Sequence, residues 1–316
     1  MMRVPARVWL VVRLLLSGVL LWLAFRPIDW QSLAAASEQL KPQWLGLAWL
    51  LVIASNSLAG FRWGWIMRGS DLRLPWLRYL SLYFAGGLIN QGVPSTLGGD
   101  TYRAVQATRG LRVDDGPALR YGLLAVALDR GMGLAGNISL GALGLVLGGE
   151  IIGGWATAVG WLLLTAVVAG MLLAGVMLAL PTTARMVDRV LQLVRLPQAQ
   201  KCFRTVFCWP LNMAQLSLAL LIHLLTLATF WCCLMAFGVD APTQALMVGL
   251  PALGLLLMLP ISVAGWGLRE TTLSAVLLLW AVPSSVTVLA SISYGLIVVL
   301  AYLPATWVLV HAKTPR

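Results

Sequence analysis

The chain alternates long apolar runs with short polar joints. The runs are Val8–Phe25, Gln43–Gly60, Trp76–Val93, Ala118–Leu147, Gly154–Leu180, Leu211–Phe237, Ala245–Leu259, Leu268–Val282 and Val286–Val310. Each is continuous. A β-barrel would instead show alternation in ten-residue segments, so the runs predict membrane helices. Two short sequences break this pattern and echo each other. One is Pro94-Ser95-Thr96-Leu97-Gly98-Gly99-Asp100, with Arg103 just after; the other runs from Pro260 through Ser262, Gly265, Trp266 and Gly267 to Arg269 and Glu270. Hydrocarbon tolerates non-helical backbone only where protein buries it or where it lines a wet cavity. A matched pair of such interruptions in the two halves of a membrane protein points to a transporter site.

The joints give a topology. Arg3 and Arg7 begin the chain; 61–75 holds Arg62, Arg68 and Arg73; 101–120 holds Arg103, Arg109, Arg112 and Arg120; 181–209 holds Arg185, Arg189, Arg195, Lys201 and Arg204; the tail holds Lys313 and Arg316. Joints 148–153 and 238–244 contain no Lys or Arg, and in 26–42 Arg26 and Lys41 are balanced by Asp29 and Glu38. The positive-inside rule puts the basic group in the cytoplasm. Both 61–75 and 101–120 then lie inside with one apolar run between them, so Trp76–Val93 must enter and return on the same side. Its helix reaches about 22 Å before Asn90, short of a hydrocarbon core of about 30 Å. Ala245–Leu259 and Leu268–Val282, each about 15 residues or 22 Å long, read as a second hairpin entering from the other face, with Gly265-Trp266-Gly267 near its tip.

The expected fold is therefore an all-α polytopic membrane protein with six full spans and two re-entrant helical hairpins, both termini inside. It forms an inverted-topology repeat with halves 1–150 and 151–316 in one integral membrane domain, 1–316. Two thin full crossings in place of each hairpin would also keep the termini inside; the polar residues at the breaks favour hairpins. The linker 181–209 fits either a basic amphipathic helix on anionic lipid heads or an ordinary positive-inside loop.

Composition agrees. Of 316 residues 60% are hydrophobic and 10% charged, against roughly 25% charged in a soluble domain. Several of the 15 Trp, among them Trp9, Trp44, Trp76 and Trp209, lie near span ends, as in interfacial belts. The net charge of +11 is read as topology, since no basic run is interleaved with base-stacking aromatics and nucleic acid is not an expected partner. Cys202, Cys208, Cys232 and Cys233 form no C-x-x-C pair, and with only two His in the chain no metal or other cofactor is expected. Val8–Phe25 is longer than a signal-peptide core and contains Arg13, so it reads as the first membrane helix.

Charged residues inside spans are costly and usually functional. Asp129 and Arg130 sit mid-run, and adjacent helical residues do not face each other. Each needs a partner elsewhere: Arg103 or Arg269 for Asp129, Glu270 or Asp100 for Arg130. Such pairs fix packing or serve a substrate or coupling role. Arg103 and Arg269 each follow a glycine break, where free N–H groups at a half-helix start attract anions and a guanidinium matches a phosphate bidentately. Two such corners facing one cavity would hold a lipid phosphate, with Ser95, Gly98, Gly99, Ser262, Gly265 and Gly267 as the surrounding substrate-binding groups; the plainer reading is that each Arg caps its own hairpin. Asn90 is expected to satisfy freed backbone groups, and His223 to bond between helices. No P-loop, G-x-S-x-G or HExxH sequence occurs, and no enzymatic activity is expected.

The run Asn90–Arg103 resembles the N-x-x-x-P-S-x-x-G-G-[DE]-x-x-R signature of the lysylphosphatidylglycerol synthase transmembrane-region family, also called flippase-like domain proteins. Asp129-Arg130 sits where that family often carries an acidic-Arg pair, and Pro260–Glu270 resembles its second signature, P-x-S-x-x-G-x-G-x-R-E. The resemblance spans essentially the whole chain. Larger relatives flip aminoacylated phosphatidylglycerol across the bacterial inner membrane and carry an aminoacyltransferase domain; this sequence ends at Arg316 without one, so the resemblance implies lipid handling and not lipid synthesis. The expectation is transbilayer movement of an anionic lipid or lipid-linked envelope precursor. Arg103 and Arg269 would bind the head, while Asp100, Asp129, Arg130 and Glu270 form a charge network with a possible coupling role. The alternatives are an accessory subunit of an envelope-biosynthesis complex, with a homo-oligomer or envelope partner, and an embedded lipid-modifying enzyme using Asp100, Asp129 and Glu270.

Overall fold

A computed structural model describes residues 40–311 except 71, 93–96, 110, 114–115, 194–195, 197–198 and 260–261, together with 15, 18–23, 26 and 38. The described residues are helical almost throughout. In chain order they form α1 (Pro42–Arg68), α2 (Trp76–Gly92), α3 (Leu97–Thr108), a two-residue antiparallel ladder of β1 (Arg112–Val113) on β2 (Gly116–Pro117), and α4 (Leu119–Leu147). Then come α5 (Gly149–Ile152), α6 (Gly154–Ala179), α7 (Pro181–Leu193), α8 (Ala199–Phe207), α9 (Leu211–Met235), α10 (Thr243–Leu256), α11 (Leu268–Leu277), α12 (Ser284–Tyr302) and α13 (Thr306–His311).

Five helical stretches among the described residues are long and apolar enough to cross a membrane: Pro42–Arg68, Leu119–Leu147, Gly154–Ala179, Leu211–Met235 and Ser284–Val310. They correspond to five of the six spans expected from sequence. The sixth, Val8–Phe25, falls largely outside the described residues. The chain is thus a multi-pass membrane protein. One boundary moves: the second apolar run was expected to stop at Gly60, yet α1 continues to Arg68 because Trp63, Ile66 and Met67 extend its buried face. This draws Arg62 from the expected loop into the helix.

The helices at the two expected hairpins are short, and α3 occupies part of the stretch 101–120 that was expected to be a joint. α2 has 17 residues, α3 has 12, α10 has 14 and α11 has 10, or about 26, 18, 21 and 15 Å at 1.5 Å per residue. They pack as two helical hairpins. In the first, Gly86 lies against Gly99 so closely that a Cβ on Gly99 would stand 2.0 Å from the Gly86 carbonyl oxygen. In the second, a Cβ on Gly249 would meet Leu277 at 2.9 Å, and one on Gly265 would meet Leu257 at 2.8 Å. Small residues at such crossings let helices approach where no hydrophobic drive separates protein from lipid.

Contacts recur between the halves. α2 packs on α3 as α10 packs on α11, α3 leans on α4 as α11 leans on α12, and α4 touches α10 as α12 touches α2. At the centre α1 and α9 run antiparallel. Lys41 N–H donates to the Ala236 carbonyl at 2.8 Å, and the Ser55 hydroxyl donates to Ile222 O at 3.3 Å. One residue gained on α1 is one lost on α9, a register that brings Arg62 level with Gln215.

Two apolar cores flank this axis. One joins the first half of α1 to the end of α9 and to α10, α11 and α12; the other joins the second half of α1 to α2, α3, α4 and α8. The linker 181–209 is helical in α7 and α8. α8 is docked through buried Ala199, Cys202 and Val206, with the Cys202 thiol bonded to the Ile66 carbonyl at 3.7 Å.

Gly99→Ala is expected to destabilise the fold by about 1–3 kcal/mol, the usual penalty for overpacking, read as a lowered midpoint of thermal unfolding in detergent. Gly131→Ala, whose Cβ would meet nothing within 4 Å, should leave the midpoint unchanged or raise it.

Candidate functional site

The first hairpin brings charge into the bundle. Asn90 Oδ1 accepts the Gly99 N–H at 2.8 Å, holding the first turn of α3 against the end of α2. Asp100 follows in that turn and Arg103 lies one turn on, its Nε 3.1 Å from Asp100 Oδ1. Arg130 grips the same carboxylate from α4, with Nε to Oδ2 at 2.7 Å and Nη2 to Oδ1 at 3.0 Å. Asp129, the adjacent residue, faces elsewhere, as helical geometry requires. Its Oδ2 receives Arg103 Nη2 at 3.0 Å, and its Oδ1 receives Arg62 Nε at 2.9 Å and Nη2 at 2.8 Å. The result is an alternating chain, Arg62–Asp129–Arg103–Asp100–Arg130, with three cations to two carboxylates.

Burial in this chain is uneven. Asp129 is 2% and Arg103 3% exposed, whereas the Arg130 side chain is 47% exposed. The Arg103 guanidinium is 4.9 Å from the centre of the Trp63 ring and 5.0 Å from that of Tyr83. Arg62 and Arg103 both spend their Nε/Nη2 edge on carboxylates, and the Nη1 of each is buried without a hydrogen-bond partner among the described residues. Gln215, level with Arg62 and fully buried, leaves both amide atoms similarly unsatisfied.

The second hairpin is simpler. Its tip turns through left-handed backbone at Ala264 (φ 51°), Gly265 (φ 81°) and Gly267 (φ 81°) before α11 begins. Glu270, with no exposure, caps that start: its Oε2 accepts the Gly267 N–H at 2.7 Å. Its Oε1 accepts Arg269 Nη2 at 2.9 Å and the Ser291 hydroxyl at 2.8 Å, while Arg269 Nε donates to Ser291 Oγ at 2.9 Å. Arg269 stacks on Trp266 at 4.7 Å and Tyr294 at 5.7 Å. It also lies flat on Gly295, where a Cβ would stand 2.4 Å from Nη2. Each hairpin thus carries one guanidinium between aromatic rings, tied to a carboxylate on its own short helix.

A cavity of about 310 Å³ lies between the hairpins. Gln91 reaches it from the end of α2, Gly265 and Arg269 from the second hairpin, Asn137 from α4, His223 from α9 and Tyr294 from α12. His223 Nε2 is 2.8 Å from the Gly133 carbonyl oxygen and the Asn137 amide donates to Pro251 O at 2.9 Å, so both polar side chains are oriented by backbone. The remaining wall is mostly aliphatic.

The sequence expectations fare unequally here. From the open pairings the structure selects Arg103 for Asp129 and Asp100 for Arg130. Arg269 and Gly265 reach the cavity. Arg103 does not: it is buried beside the Trp63 and Tyr83 rings, enclosed by its two carboxylates. Ser262 is buried outside the cavity lining, Gly267 forms the helix cap, and Gly98 and Gly99 belong to the packed start of α3. Ser95 lies outside the described residues. Arg62 is the residue that loop assignment missed; the signal was Asp129, whose buried charge needs more than one cation.

The family model described as the lysylphosphatidylglycerol synthase TM region matches residues 10–305. The chain belongs to this family. No curated protein and no solved structure matches it. The match takes in both hairpins, the charge chain and the cavity, and membership in the lysylphosphatidylglycerol synthase TM-region family supports a lipid-related role in the membrane.

Asp129→Asn leaves two buried guanidiniums without their shared counter-charge and is expected to destabilise by about 3–5 kcal/mol. Arg130→Gln, at the half-exposed end of the chain, should cost markedly less. Thermal unfolding of the two variants side by side in the same detergent measures the difference.

Proposed function

We propose that this protein moves an anionic lipid, or a lipid-linked envelope precursor, between the leaflets of the bacterial inner membrane. The observation that carries the reading is a cavity reached by Gln91 from the end of α2 and by Gly265 and Arg269 from the second hairpin. In this reading the chain has six spans, the short helix pairs are re-entrant from opposite faces, and the halves 1–150 and 151–316 form an inverted repeat with both termini in the cytoplasm. Each hairpin helix is shorter than the hydrocarbon core. The recurrence of contacts between the halves is what an inverted repeat produces.

Arg269 supplies the charge for the head group, and the aliphatic walls suit the first carbons of the chains. An arriving phosphate competes with Glu270 for the guanidinium. Glu270 also holds the Gly267 N–H, so loosening the pair frees the first turn of α11, and head-group arrival is coupled to the shape of the tip. The network of Asp100, Asp129, Arg130 and Arg103 serves as the fixed anchor against which the second hairpin works. The protein acts as a carrier and not as an enzyme: Asp100, Asp129 and Glu270 are each gripped by guanidinium, which suits them to holding structure and not to exchanging protons with a substrate.

The test is reconstitution in liposomes with fluorescently labelled phosphatidylglycerol, followed by chemical quenching of the outer leaflet. Arg269→Ala is expected to slow exchange by about tenfold or more, the equivalent of losing at least one charge-assisted hydrogen bond. Gly295→Ala should slow it too, by displacing the guanidinium. Undiminished exchange in a folded Arg269→Ala protein removes the proposal.

A further inference from the structure

Beside the Arg269 cavity lies a second, of about 160 Å³, and the two share Ile222, Thr226, Tyr294 and Val298 as a common wall. The second space is lined differently: hydroxyl and amide groups from α1, α2, α9 and α12 point at it, including Ser55, Asn56, Tyr83, Thr229 and Tyr302.

The direction of the existing hydrogen bonds decides what this space accepts. Thr226 and Thr229 donate their protons to the carbonyls of Ile222 at 3.0 Å and Leu225 at 2.8 Å, and Ser55 donates to Ile222 O at 3.3 Å. Asn56 donates one amide proton to Val52 O at 2.8 Å, while its Oδ1 takes the Tyr302 hydroxyl at 2.6 Å. What these groups have left to offer is oxygen lone pairs and the second amide proton of Asn56. Tyr83 and Tyr294 are the complement: their hydroxyls make no hydrogen bond among the described residues and are free to donate. A wall of acceptors with two free hydroxyl donors and tyrosine rings matches a group that both donates and accepts, namely an uncharged hydroxylated one.

Charge excludes the alternative. No Asp or Glu lines either cavity among the described residues, and Arg269 is the one permanently charged lining side chain. Asp100, Asp129 and Glu270 are all held by guanidinium. An ammonium placed here would be desolvated beside a cation with no carboxylate free to meet it.

Resting on the lipid-carrier reading above, we infer that the preferred head group is a phosphate bearing uncharged hydroxyls, a polyol or sugar, with its phosphate at Arg269 and its hydroxyls in the tyrosine-walled space. Aminoacylated lipid, with its ammonium groups, is disfavoured.

The experiment is competition for lipid retained by the purified, detergent-solubilised full chain, read by native mass spectrometry. The probes are dioleoyl-phosphatidylglycerol, phosphatidylinositol, phosphatidic acid and lysyl-phosphatidylglycerol at equal concentration. Phosphatidylglycerol or phosphatidylinositol is expected to exceed phosphatidic acid by about fivefold, as one or two net hydrogen bonds imply, and lysyl-phosphatidylglycerol should be retained least. Their mutual ratio tells an open-chain polyol from a ring. Thr226→Val and Tyr83→Phe should bring the preference over phosphatidic acid towards unity. Equal retention of phosphatidic acid and the hydroxylated lipids, or preference for the lysyl lipid, overturns the inference and leaves the carrier reading standing. Retention of no anionic lipid, with Arg269→Ala indistinguishable from the unaltered chain, overturns both. The wild-type comparison decides the matter even if a variant fails to fold.

Discussion

The constraint on which this structure depends is the pairing of opposite charges inside the bundle. Arg62, Asp129, Arg103 and Asp100 are buried, and any one of them alone would be costly at that depth. Joined in alternation they become a strut between α1, α3 and α4. The links are long in sequence: Arg62 and Asp129 are 67 residues apart, Arg103 and Asp129 are 26 apart. The strut therefore ties the first hairpin to helices on both sides of it. Its surplus of one cation and its unpartnered Nη1 groups are compensated only in part, by the rings of Trp63 and Tyr83.

The second hairpin is held otherwise. Arg269 and Glu270 are sequence neighbours, and among the described residues only Ser291 carries their hydrogen-bond network to another helix. Its tip passes through three left-handed residues, one of them an alanine, a conformation that costs an L-residue on the order of 1–3 kcal/mol. Two hairpins of like design thus differ in their tethering. The first is bolted to the scaffold by long-range ion pairs; the second rests on a local pair, a cap and a glycine shelf. The cavities lie where these unlike parts face each other, between the two apolar cores.

Much of this was legible in the chain. Apolar run lengths and loop charge gave five of the helices now seen, the second short pair and the first helix of the other, because hydrocarbon imposes a length on each crossing and punishes polar breaks; α3 was missed because its charged residues read as a joint. The demand of Asp129 and Arg130 for partners on other elements was readable from adjacency alone. What could not be read was which way each face turns. Arg62 passed for a loop residue because the continuous apolar run ends at Gly60, although Trp63, Ile66 and Met67 keep the helix buried. Arg103 was expected at the cavity because it follows the same kind of break as Arg269, and no spacing rule reveals that Asp100 and Asp129 hold it inside the bundle. The hydroxyl-lined space draws its residues from four helices far apart in sequence, so no local motif announces it.

The close seat of Arg269 on Gly295 has a mechanical corollary. With no clearance for even a methyl group beneath it, the guanidinium cannot sink toward α12. While Glu270 and Ser291 hold its edge the positive charge keeps one place. A passenger that draws Glu270 away also loosens the turn at 264–267, so part of the barrier to transit would be written in backbone torsions and not in side-chain rotamers alone.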